Sequence, residues 1–422
     1  MAGYSNLFLV GLMAFCVTIF GLFRKPLYAA AYLVWFRSSF AIAAYLQISL
    51  ISGIPYFTLA YVCLCMVLVL YFAFVSAKIP NTGPVLTLYI FSIFILLNSV
   101  YFLLFEPSKS ADIIANILKF ILPISVYLAA YAGLKTAKDL NKLSYMVAVI
   151  IALPVLVGII QALTGVSYNY ANDSFVAGIR PVGTIIDANA YGIFLCMGAF
   201  LITPFALMRR RFGMKVVLAT IVISILLSKN RGSWIAAVIA VIAAVAIFHR
   251  RINLPRVLVA ALVLGVVAYP VVVKRFSDLS GTDQFGQSQD TFSERVQQTQ
   301  HLLSEAALSP IVGYGAGTAE QPWGASHLAR PPHNDYIRVL YEFGLPIAVL
   351  YVLFLLSQLY IAAGMGRDRT WLYGFSSTMF IIYMMIISAT QNLIFDTTTY
   401  AMVMLMLAVM HRVRATNGFA ES

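Results

Sequence analysis

The feature that most constrains this chain is the recurrence of uninterrupted apolar runs. They lie near residues 4–23, 27–52, 55–77, 83–105, 112–134, 142–163, 187–208, 213–228, 231–248, 255–273, 335–363, 371–391 and 397–411. A helix that crosses a bilayer needs roughly 20 mainly apolar residues. In hydrocarbon every backbone N–H and C=O must be satisfied internally, so runs of this length read as helices. A membrane β-barrel would instead alternate apolar and polar residues, and these runs do not. Only 10% of the 422 residues are charged and 61% are hydrophobic, which excludes a soluble globular chain of this size. The expected fold class is an all-α polytopic integral membrane protein with about 12 transmembrane helices and a large outer loop that itself contains helices. The count is open at the start, where Arg37 interrupts "YLVWFRSSF" and the second run can be read as re-entrant.

The formal net charge of +12 would suit nucleic acid if it were gathered on one soluble face. It is spread over short hinges instead: Arg24 and Lys25, Arg209 to Arg211 with Lys215, Arg250, Arg251 and Arg256, Arg367 and Arg369, Arg412 and Arg414. That is the positive-inside pattern, so these hinges are expected on the cytoplasmic side and no nucleic-acid partner is expected. "MAGYSN" lacks a basic n-region and a small-residue cleavage site, so the first run is expected to be a retained helix. Cys16, Cys63, Cys65 and Cys196 all lie inside apolar runs without CxxC spacing and read as small buried hydrophobes.

Counting back from the basic "HRVR" puts four polar segments on the outer side: 166–190, 228–234, 274–334 and 391–396. The domain reading follows. A helix bundle with short outer loops spans 1–273, an outer loop with an amphipathic helix spans 274–334, and C-terminal helices with a cytoplasmic tail span 335–422. Within the loop, "DTFSERVQQTQHLLSEAALSP" (290–310) reads as a helix with Phe292, Val296, Leu302, Leu303 and Leu308 roughly on one side. "VGYGAG" (312–317) reads as a turn.

Chemistry concentrates in "PPHNDYIRVLYEFGLP" (331–346), where His333, Asn334, Asp335 and Arg338 meet the start of an apolar helix. Asn334 suits an N-cap. A helix N-terminus disfavours imidazolium and favours a bound anion, so His333 is the candidate general base. "FGLP" supplies a stop and restart of the helix. Arg180, Arg231, Arg295 and Arg338 are arginines on the expected outer side, against the positive-inside trend. Each has a bland reading as an interface snorkel or a salt bridge, with Glu342 four residues beyond Arg338 as a ready partner. Their sharper reading is convergence on phosphate oxygens, which a permanently charged guanidinium binds bidentately. A Walker loop, HExxH, paired CxxC and a metal-holding DxD are all missing from the sequence. ATP and a metal cofactor are therefore not expected, and the energy must come with the substrate or from a gradient.

Three stretches resemble one known family. "SKNRGSWIAAVIAVI" (228–242), "FSERVQQTQHLLSEAALSPIVGYGAG" (292–317) and "HNDYIRVLYEFGLP" (333–346) are similar, in order, to motifs of the O-antigen ligase and polymerase superfamily. The resemblance covers roughly the C-terminal half. Lys229–Asn230 stands where many relatives have serine directly before the arginine.

The resemblance implies a bacterial inner-membrane, multi-pass glycosyltransferase with its site at the periplasmic face. Its donor would be an undecaprenyl pyrophosphate-linked glycan and its acceptor a sugar hydroxyl of lipid A–core, with membrane lipids around it and neither metal nor cofactor. His333 would be the catalytic base. Arg231 and Arg295 would hold the donor pyrophosphate, with Arg338 and Arg180 as further contacts. Asn334, Asp335, Tyr336 and Asp396 would support the site. A polymerase that extends the lipid-linked glycan, and a protein O-oligosaccharyltransferase, need the same groups. From another class, the spans alone also fit a secondary transporter, which would place its polar groups near the midplane of two similar halves.

Overall fold

The computed structural model describes residues 25–39, 49–51, 54–55, 83–106, 110–169, 174–177, 180–185, 187–208, 211–255, 258–259, 262, 265, 269, 291–320, 332–365, 370–394 and 396–416. The apolar run 4–23, all but the first residue of 55–77 and most of 255–273 lie outside the described residues, as do Cys16, Cys63, Cys65 and the loop residues 274–290 and 321–331.

Among the described residues the helices are α1 (Pro26–Ser39), α2 (Gly83–Phe105), α3 (Ser110–Gly133), α4 (Ala137–Thr164), α5 (Ala188–Leu207), α6 (Phe212–Leu227), α7 (Arg231–Phe248), α8 (Thr291–Ala306), α9 (Asp335–Gly364), α10 (Trp371–Ser388) and α11 (Thr397–Ala415). Two short antiparallel hairpins join them, β1 (Ser49–Ile51) with β2 (Ile54–Pro55) and β3 (Val166–Asn169) with β4 (Ser174–Ala177). Six of the described helices are long and apolar enough to cross a membrane. The chain divides into two compact units: residues 1–81, 118–221 and 396–422, and residues 82–117 and 222–395.

In the first unit α5 and α11 are buried along almost their whole length. Their middle turns are apolar all round, as a helix enclosed by other helices must be. α5 packs on α4 and α11, and α1 packs on α4. The two ends of this unit differ chemically. At one end Arg412 donates to the Leu134 carbonyl and Arg211 to Asn141. At the other, Gln161 of α4 accepts from the backbone N–H of Val182 and Gly183, and Thr184 donates to the Ser38 carbonyl. The segment 180–185 is thereby tied to the ends of α4 and α1.

In the second unit α9 is the axis. It packs on α2, α8 and α10, and α10 packs on α7. Phe91 stacks on Tyr351 and Phe354, and Thr87 meets Ser357 and Gln358 across the α2–α9 seam. α9 is broken at Gly344, whose φ of 81° is left-handed, and Pro346 follows without an N–H to restore the ladder. This is the stop and restart expected of "FGLP".

Candidate active site

The N-terminus of α9 begins with three consecutive polar residues, each with its own task. His333 sits half-buried at the bend before the helix. Asn334 is the N-cap, and its side chain accepts from Ile337 N–H at 3.1 Å. Asp335 is fully buried and accepts from the backbone N–H of Leu393 at 2.9 Å and of Ile394 at 3.4 Å. The turn after α10 is thus fastened to the start of α9. Tyr336 donates to the Met385 carbonyl at 2.9 Å, a second tie to α10.

The α7 N-terminus borders the same turn. Asn230 caps α7 by accepting from Ser233 N–H, and the half-buried Arg231 is the first helical residue. Lys229 reaches this start through a left-handed φ of 54°, uncommon for a residue with a side chain. A Cβ on Gly232 would lie 3.9 Å from the amide nitrogen of Gln391. Gly232, next to Arg231, thus borders Gln391, and Leu393 two residues further on donates to Asp335, so the first and third sequence motifs meet at one turn.

The second motif joins through the break in α9. Opening the helix at Gly344 frees the carbonyls of Tyr341 and Glu342 and the N–H of Leu345. Tyr314 N–H donates to Tyr341 at 3.0 Å, Gly315 N–H donates to Glu342 at 2.8 Å, and Leu345 N–H donates to Pro310 at 2.7 Å. The expected turn at 312–317 is present, and it fills the gap. Its contact is backbone on backbone: a Cβ on Gly344 would lie 2.2 Å from the Ile311 oxygen and one on Gly313 2.6 Å from the Glu342 oxygen. Asn98 of α2 holds the turn from the other side through the Val312 carbonyl.

Arg338 lies beneath this junction with no exposed surface. Its guanidinium meets Glu342 at 3.0 Å, Glu320 at 2.8 Å and the Asn116 side chain at 3.3 Å. The Glu342 pairing was legible as an i,i+4 spacing. Glu320 and Asn116 were not. Glu320 is one of several loop acids in the sequence, and Asn116 a lone amide in an apolar run.

α8 forms as expected, but its buried side is different. Gln298, Leu302 and Ala306 face inward, whereas Val296, Leu303 and the following Leu308 are exposed. The buried i,i+4 row begins on a glutamine, so apolar residues alone misplace the face by part of a turn. Arg295 lies in α8, and its side chain and that of Phe292 are outside the described residues.

Arg180 and Asp396 belong to the first unit, and there they share one polar cluster. Arg180 donates to Asn189 at 3.0 Å, and Asp187 caps α5 through Asn189 and Ala190 N–H. Asp396 caps α11 by accepting from Thr398 N–H, and Arg37 donates to Thr397 at 2.9 Å. Burial pushes the Asp396 carboxyl above its usual range, Arg37 pulls it back and Asp187 adds to the rise. Arg37 entered the sequence reading only as an interruption of an apolar run. Its position near one end of α1 was the available signal. Among the described residues, no group of three His, Cys, Asp or Glu side chains has a metal-holding arrangement.

Residues 216–352 match the family model described as O-antigen ligase. The matched stretch begins in α6, ends in α9 and carries Arg231, Arg295, His333 and Arg338. It agrees with the resemblance read from the three motifs. No curated protein matches the chain. With its apolar helices, the O-antigen ligase match supports a multi-pass membrane protein of the O-antigen ligase and polymerase superfamily.

Proposed function

We propose that the chain is a glycosyltransferase that moves a glycan from undecaprenyl pyrophosphate to a sugar hydroxyl of lipid A–core, at the periplasmic face of a bacterial inner membrane. The observation that carries this reading is the O-antigen ligase match across a segment that contains both a candidate base, His333, and candidate phosphate-binding arginines.

His333 takes the proton from the acceptor hydroxyl as its oxygen attacks the anomeric carbon. The bond from that carbon to the pyrophosphate oxygen breaks, and undecaprenyl pyrophosphate leaves with the bonding pair. The α9 N-terminus disfavours a positive charge on the imidazole before reaction, which suits His333 to act as a base. Arg231 and Arg295 stabilise the charge that grows on the leaving group. Attack opposite the leaving group inverts the anomeric centre.

The test is a reconstituted assay in detergent with purified protein, undecaprenyl pyrophosphate-linked glycan and lipid A–core, without nucleotide and with chelator. Glycan on lipid A–core is the expected product, and His333→Ala is expected to lower turnover by about 10²–10⁴-fold. Longer glycans on the polyprenyl carrier, with none on lipid A–core, would make the chain a polymerase. Near-normal transfer by His333→Ala would remove the base assignment.

A further inference from the structure

We propose that Arg338 is a positioning residue: with Glu342 and Glu320 it latches the outer-loop turn onto the break in α9 and so fixes the segment that presents His333. This rests on the glycosyltransferase reading for its catalytic consequence, though not for the latch itself.

The side chains and the backbone close the same joint. Glu342 supplies both halves. Its carbonyl accepts from Gly315 N–H, and its carboxylate pairs with Arg338. Glu320 ends the short 3₁₀ turn Thr318–Glu320 that continues from Gly317, and it reaches back to the same guanidinium. Arg338 therefore connects three places: the helix just after His333, the broken turn of α9, and the far end of the glycine-rich turn. Asn116 of α3 adds a fourth contact from another helix. The ring stack of Tyr314 on Tyr341, at 4.9 Å, lies in the same joint.

A donor contact at Arg338 fits this geometry poorly. The guanidinium is fully buried and faces two carboxyl groups, so an incoming pyrophosphate would meet negative charge before it met the cation. Withdrawing Arg338 from Glu342 would leave a buried carboxylate uncompensated, which is a costly state. A fixed, buried fork of donors suits a staple between elements. Misplacing a catalytic group by about 1 Å costs up to about 10²-fold in rate, so a staple one turn from His333 would show in turnover rather than in donor affinity.

The experiment compares full-length wild type with Glu320→Gln, Arg338→Lys and the double variant in two measurements. In the transfer assay, Glu320→Gln and Arg338→Lys are each expected to lower kcat by about 10- to 100-fold while the donor KM stays within about twofold. The double variant is expected to fall little further, since both changes open one latch. In amide hydrogen exchange, Glu320→Gln is expected to speed exchange in residues 310–320 and leave α10 and α11 unchanged. Arg338→Lys with kcat intact and a donor KM raised about tenfold or more would overturn the proposal and make Arg338 a donor contact. Glu320→Gln unchanged in both kcat and exchange would also overturn it. Glu320 lies at the partly exposed edge, so its variant still decides the question if Arg338→Lys fails to fold. If wild type transfers nothing from this donor, the functional reading fails, while the exchange comparison still decides the latch.

Discussion

α9 and α11 both start from an Asx cap beside an arginine, yet their entrances are built differently. At α9, Arg338 is sealed among two carboxylates and an amide, and a glycine-rich turn is docked backbone to backbone against the broken helix. At α11, Arg37 is half-buried and donates to a neutral hydroxyl, and the neighbouring arginine, Arg180, donates to a neutral amide. The first arrangement fixes geometry at the cost of burying charge. The second leaves Arg37 only half-buried, hydrogen-bonded to a hydroxyl and within electrostatic reach of the Asp396 carboxyl. Burial of the charge, rather than the residue type, separates the two.

The sharpest way to break this comparison is to remove each arginine. Arg338→Met leaves buried carboxylate behind, so it should cost about 3–5 kcal/mol of stability. Arg37→Met removes a half-buried cation together with its charged hydrogen bond to Thr397 and should cost less, about 1.5–3 kcal/mol. Thermal unfolding in detergent measures both, and equal losses would abolish the distinction. Left-handed glycines give a second contrast. Gly165, the C-cap of α4, has φ 69° and open space around its missing Cβ. Its alanine variant should cost about 1 kcal/mol, the price of the backbone conformation alone. Gly344→Ala adds a collision with the Ile311 carbonyl and should lower the unfolding midpoint clearly further, with the 310–320 turn released in limited proteolysis.

The caps should behave alike, which sharpens the comparison from the other side. Asn334→Ala and Asp396→Ala are each expected to lose about 0.5–2 kcal/mol. The smallest effect is a pH dependence at Asp396. Burial raises its folded-state pKa, so in that window the folded chain holds a proton that the unfolded chain has released. Stability from this group falls as pH rises from the ordinary carboxylate range through the raised value. Asp396→Asn keeps a capping side chain and removes that fall. The midpoint of the variant relative to wild type should therefore rise as pH is raised from the ordinary carboxylate range, and a constant difference would show that the carboxyl is not perturbed by burial.

Much of this was legible locally. The Asn334 cap, the break at "FGLP", the Arg338–Glu342 spacing and the loop helix all follow from residues within a turn or two of one another. The pairing of Glu320 with Arg338 was not legible, because nothing in the intervening sequence marks one loop acid above the others. Arg37 and Thr397 meet across most of the chain's length. The inward face of α8 is not legible from apolar residues alone, because Gln298 is buried there while Val296 and Leu303 are not.

The sequence by itself determined the class of structure and the family segment. Long apolar runs have one economical solution in lipid, and motif order survives without any knowledge of packing. Only the tertiary structure decided what each arginine faces. A guanidinium carries the same charge at Arg37, Arg180, Arg231 and Arg338, but the free energy of that charge is set by the carboxylates, amides and water around it. Those neighbours are brought from distant parts of the chain.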